Sequence, residues 1–138
     1  MKTVLFICLC LSSVAFTQNT NGTLATLVDE WLELFTRHKT ECLAQSGAEE
    51  SDLMDAFKTL KLSDKESSKC YFKCVYEKLH FLDADGNFDL SMVLTIPGVK
   101  DKALVEECTN SVANEKNLCE KVYKSLLCGL FKILASFG

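Results

Sequence analysis

Residues 69–80 read KCYFKCVYEKLH. Tyr71, Phe72, Val75 and Leu79 recur at three- and four-residue steps, the mark of an amphipathic helix. Cys70 and Cys74 stand four apart on that helix, so both side chains leave it on the same side. They point in parallel, a poor geometry for bonding each other. Each cysteine therefore needs a different partner on a neighbouring element.

Residues 117–134 read NLCEKVYKSLLCGLFKIL, and an apolar helical pattern runs through Val122, Tyr123, Leu126, Leu127, Leu130, Phe131 and Leu134. Cys119 and Cys128 are nine apart there. Nine steps of about 100° carry the second cysteine to the opposite face, roughly 13 Å along the axis. That pair is excluded too, so the last helix is stapled on two sides. Removing both excluded pairs leaves ten of the 15 pairings that six cysteines allow, and spacing alone goes no further.

The count of six depends on the N-terminus. Residues 1–17 read MKTVLFICLCLSSVAFT. Lys2 forms a short positive region, Val4 to Leu11 an apolar run, and Ser12, Ser13 and Ala15 a small-residue cleavage zone, the order of a secretory signal peptide. Cleavage falls near residues 15–18, after Ala15 by the small-residue rule or after Thr17. The apolar run is about half of the ~20 residues that a spanning helix needs. Removal takes away Cys8 and Cys10, leaving Cys42, Cys70, Cys74, Cys108, Cys119 and Cys128 in one mature domain, residues 18–138. An even cysteine count in a short secreted chain implies a disulfide framework. Loss of Lys2 moves the net charge from −4 to about −5. A mildly acidic chain does not suit nucleic acid or anionic lipid, which favour a basic patch. No membrane insertion is expected.

The remaining pattern is helical throughout. Leu24, Leu27, Val28, Trp31, Leu34 and Phe35 mark a helix from Leu24 to about Ala44 that bends near His38, where the apolar pattern lapses. Ser46–Glu49 and Ser63–Glu66 read as capping boxes that open the second and third helices. The second carries Leu53, Met54 and Phe57 inward; the third runs to about His80. Asp83 to Asn87 is a turn cluster with Gly86 or Asn87 left-handed. A short fourth helix near Asp89–Thr95 ends before Pro97. Asp101 caps a fifth, and Asn117–Glu120 is a third capping box. The expected class is all-α: about six helices, short loops and no strand.

No catalytic or metal constellation is present in the sequence. His38 and His80 sit in no nucleophile or ligand motif. The acidic run at Asp83–Asp89 departs from a calcium loop, whose sixth and twelfth positions here hold Phe88 and Leu94. The expectation is a non-enzyme without metal or cofactor. Asn21-Gly22-Thr23 is an N-glycosylation acceptor.

The spacing Cys42–x27–Cys70–x3–Cys74–x33–Cys108–x10–Cys119–x8–Cys128 resembles the six-cysteine pattern of the insect odorant-binding proteins. The x3 and x8 gaps are that family's most constant features. The x33 gap is slightly short, which suggests a trimmed fourth helix or loop. LHFLDADGNFDL (79–90) is similar to the family's turn at that place. The resemblance implies interlocked disulfides Cys42–Cys74, Cys70–Cys119 and Cys108–Cys128 around an apolar cavity. It also implies a carrier of small hydrophobic ligands (odorants, pheromones or lipid-like molecules) that is a monomer or weak homodimer. It allows a membrane chemoreceptor as a second partner. The resemblance tips Leu27, Trp31, Phe35, Phe72, Leu79, Phe88, Met92, Leu127, Phe131 and Leu134 toward lining that cavity; otherwise they fill an ordinary core. Met92 suits an adaptable wall, and Tyr123 offers a polar contact. Phe137 either plugs the mouth or frays. With two histidines, acid-driven ligand release is expected to be weak. The rival expectation is a secreted venom, saliva or defence protein on the same scaffold, acting through its surface. A cavity no larger than ~150 Å³ favours that rival, because ligand pockets run about 300–1,000 Å³.

Overall fold

The computed structural model describes residues 23–137. The expected signal peptide at 1–17 and the acceptor Asn21 lie outside the described residues. Helix α1 spans residues 23–36. It is followed by α2 (Lys39–Ser46), α3 (Glu50–Thr59), α4 (Glu66–Lys78), α5 (Leu90–Val93), α6 (Lys102–Asn110) and α7 (Leu118–Ala135). Among the described residues the one extended pairing is an isolated bridge between Leu82 and Phe88. The all-α class expected from periodicity is the class observed. The extra helix arises where the first expected helix breaks at Arg37–His38. That break separates the Trp31–Leu34–Phe35 face of α1 from Cys42 on α2, and all four residues are buried.

Helix α4 is the hub. It buries Ser68, Tyr71, Phe72, Cys74, Val75 and Tyr76, and it packs against α2 and α7. Cys74 bonds Cys42 on α2, with Cα atoms 5.5 Å apart. Cys70 bonds Cys119 at the start of α7, Cα to Cα 4.6 Å. Farther along α7, Cys128 bonds Cys108 on α6 at 5.6 Å. Thus α4 and α7 are each tied to two different elements, and neither excluded pair occurs. In the chain-entropy model, loops of 32, 49 and 20 residues make each bond worth about 3–4 kcal/mol. Polar contacts reinforce the bonds: Lys69 pairs with Glu120 beside Cys70–Cys119. The Tyr71 hydroxyl donates to the Phe35 carbonyl at 2.7 Å, joining α4 to α1.

Side-chain caps form where Asx residues stand. Asp89 accepts from Met92 N–H, Asp101 from Ala103 N–H and Asn117 from Glu120 N–H. The two serine boxes do not form. Ser46 ends α2 instead: its hydroxyl donates to the Cys42 carbonyl at 2.7 Å and accepts from Ala48 N–H. Gly47 then closes α2 in the left-handed conformation, φ 74°, so α3 starts later, at Glu50. Likewise Ser63 accepts from Lys65 N–H within the loop, and α4 starts at Glu66. The helix expected near Asp89–Thr95 is trimmed to α5, Leu90–Val93, one turn.

The turn before α5 is built on Asp83, whose Oδ1 accepts from Asp85 and Asn87 N–H, each at 2.9 Å. Gly86 is left-handed at φ 84° and lies against α7, where an added Cβ meets the Leu118 side chain at 2.6 Å. Its carbonyl accepts from the buried Lys121 ammonium at 2.7 Å, and that ammonium lies 5.5 Å above the Phe88 ring. Gly86→Ala therefore adds left-handed strain of about 1–2 kcal/mol and displaces Leu118. The variant should show a lower urea midpoint at an unchanged slope; an equal midpoint contradicts this account of the turn.

Candidate functional site

A cavity of about 110 Å³ lies where α1, α3, α4, α6 and α7 converge. Trp31 and Phe35 face it from α1, Ala56 and Phe57 from α3, Phe72 and Tyr76 from α4, and Phe88 and Val93 from the turn and α5. Ile96 and Val99 close one side, and Leu104, Val105, Cys108 and Thr109 of α6 another. The α7 wall is Ser125, Leu126, Gly129, Leu130 and Ile133, while Leu60 and Leu62 complete the rim after α3. Among the described residues no charged side chain lines it.

The aromatic wall is ordered around Phe35. The Tyr76 ring stacks on it at 6.4 Å and 6°, while Phe72 meets it edge-on at 6.0 Å. Phe88 in turn meets Tyr76 edge-on at 6.2 Å. Such packing fixes ring orientation beyond what area burial alone supplies. The Trp31 indole N–H donates to the Pro97 carbonyl at 2.8 Å, which holds the Ile96–Val99 segment against α1. Gly129 opens onto the cavity, and a Cβ built there meets nothing within 4 Å.

Of the residues assigned to the wall from sequence, Trp31, Phe35, Phe72 and Phe88 line the cavity. The others lie elsewhere. Leu27 is buried in the core, and Leu79 and Met92 pack against it from its edge. Tyr123 sits under the Lys69 ammonium, 4.6 Å from its ring centroid. Leu127 and Leu134 are half-buried off the wall. Phe131 is 69% exposed, and Phe137 is exposed at the C-terminal end rather than seated in the mouth. The α7 wall is thus offset by one residue from the expected face, about 100° of helix. Tyr76 went unassigned although it lies four residues after Phe72, on the same face; that spacing was the available signal. The one cluster with metal-ligand spacing among the described residues, Glu66 with Cys70 and Cys119, has both sulfurs tied up in a disulfide.

The fold and this hollow define a class: a small all-helical protein pinned by three interlocked disulfides around an apolar cavity. The PBP/GOBP family model matches residues 25–131, and the chain belongs to that family. Among similar proteins of Drosophila melanogaster, general odorant-binding protein 99b is 27% identical over 105 residues, covering 70% of this chain and 70% of the relative. General odorant-binding protein 57c is 28% identical over 102 residues, covering 67% and 68%. No solved structure gives a significant match.

Titration leaves the cavity untouched in the mildly acid range. His38 lies near Glu41, with Nδ1 3.6 Å from its carboxylate, His80 is exposed, and neither lines the wall. Hydrogen bonding to Lys78, with His38 assisting, holds Glu41 below its ordinary 4.5. The stability it contributes is present above that pH and is lost only as pH falls further, through the folded value. Burial raises the Tyr76 phenol well above its ordinary 10.0, so it stays neutral. Affinity for an uncharged guest should change less than about twofold between pH 7 and 5. A larger acid loss, abolished by replacing His38 or His80, contradicts this.

Proposed function

We propose that the chain is a secreted, non-enzymatic carrier that takes a small apolar molecule into this cavity and moves it through aqueous fluid. Family membership supports small-ligand binding, and the cavity is the observation that carries the rest: its wall is almost wholly apolar and rich in aromatic rings. Burial of about 300 Å² of guest surface at 25 cal/mol per Å² gains at most about 7 kcal/mol before entropic costs, so the affinity is micromolar at best. Residues 1–17 serve as the signal peptide in this reading, residues 18–138 as the carrier domain, and Asn21 as the glycan acceptor. Among the described residues no helix is long and apolar enough to cross a membrane. A membrane chemoreceptor is a fitting recipient of the guest.

Size constrains the guest. At about 110 Å³ the cavity is smaller than typical ligand pockets of about 300–1,000 Å³, and close to the roughly 150 Å³ that accommodates benzene. The fitting guest is therefore benzene-sized, or it displaces the half-buried Leu60–Leu62 rim. The same small volume favours a second reading, a secreted protein of venom, saliva or defence that acts through its surface.

Trp31 is the protein's one tryptophan and stands on the wall, so its fluorescence reports occupancy. Bromobenzene should quench it saturably, at micromolar concentrations or above. Gly129→Leu should abolish saturable quenching while melting no lower than wild type, because it fills open space and removes a mid-helix glycine. Saturable quenching that survives in Gly129→Leu contradicts the assignment of the cavity. No saturable quenching in the wild type favours the surface-acting protein.

A further inference from the structure

The cavity wall carries four side chains with an N–H or O–H, and three of those donors are committed. The Trp31 indole donates to Pro97. The Thr109 hydroxyl donates to the Val105 carbonyl at 2.8 Å, and the Ser125 hydroxyl to the Val122 carbonyl at 2.9 Å. The fourth is Tyr76, whose hydroxyl has no hydrogen-bond partner among the described residues. Its side chain is only 4% exposed. Among the described residues, the sole unpartnered side-chain oxygen that is completely sealed is that of Ser68. The Tyr76 oxygen therefore retains accessible surface, and its residue lines the cavity.

The ring is held from several sides. Phe35 stacks on it, and Phe81 and Phe88 meet it edge-on at 5.3 and 6.2 Å. The ring is thus held fixed on a wall that is almost wholly apolar. Burial keeps the hydroxyl protonated, so it offers a hydrogen. A donor left unmade in such a place carries a desolvation penalty, and a guest with an acceptor removes it. A hydrocarbon guest seals the donor in without a partner.

We propose that the Tyr76 hydroxyl is the specificity-determining donor of the cavity, which selects small apolar molecules bearing one carbonyl or ether oxygen over hydrocarbons of the same shape. This rests on the carrier reading and names its ligand class. Acetophenone and ethylbenzene share a skeleton and differ in the oxygen. Calorimetric titration of the wild type and of Tyr76→Phe gives the ratio of the two affinities in each. The ratio should fall roughly 3- to 10-fold toward ethylbenzene in the variant. In the wild type, the carbonyl stretch of bound acetophenone should move to lower frequency than in hydrocarbon solvent. An unchanged ratio, or an unshifted carbonyl in the wild type, overturns the assignment while leaving the carrier standing. Binding of neither compound to the wild type overturns both.

Discussion

Two cysteines on one face of α4 cannot satisfy each other, and the rest of the molecule depends on that constraint. Cys74 reaches back to α2 and Cys70 reaches forward to α7. Because α7 must then meet α4 at Cys119, its second cysteine emerges on another side and captures α6. Three bonds thereby fix the relative placement of four helices. The apolar clusters of α1 and the turn before α5 fill the spaces those helices define. An apolar void of about 110 Å³ costs roughly 3 kcal/mol at about 24 cal/mol per Å³. One disulfide of about 3–4 kcal/mol offsets that. The hollow is affordable because three of its walls, α4, α6 and α7, are covalently tied.

The fold was legible where the chemistry is local. Asp89, Asp101 and Asn117 each carry a short acceptor able to reach an orphan amide, and each begins a helix. Ser46 has the same capacity, but a hydroxyl also donates, and with Gly47 following it served the end of α2 instead of the start of α3. Of the three residues between Ser46 and α3, Gly47 is the signal that tells these roles apart, because glycine favours the left-handed position that ends a helix. Asp83 reads as a turn former because a carboxylate can hold two nearby amides, and it does so with those of Asp85 and Asn87.

The cavity wall was legible on α1 and largely hidden on α7. Helix α1 has a clear polar face, so Trp31 and Phe35 could only point inward. Helix α7 is apolar almost all round from Leu126 to Leu134, and periodicity selects no face of such a helix. The face is chosen by tertiary ties to α4 and α6, which bring Leu126, Leu130 and Ile133 to the wall and leave Phe131 outside. Gly129 reads as a weak point in a helix; in three dimensions it is where a missing side chain leaves room.

The central claim is that this room is a dry apolar cavity able to hold a guest. Xenon is an uncharged, polarizable atom that enters dry apolar cavities and makes no hydrogen bonds. Crystals of the mature protein under xenon pressure test the claim most directly. The account predicts xenon density between Trp31, Tyr76, Gly129 and Leu130, with no ordered water there beforehand. An empty or water-filled site under the same pressure would contradict it.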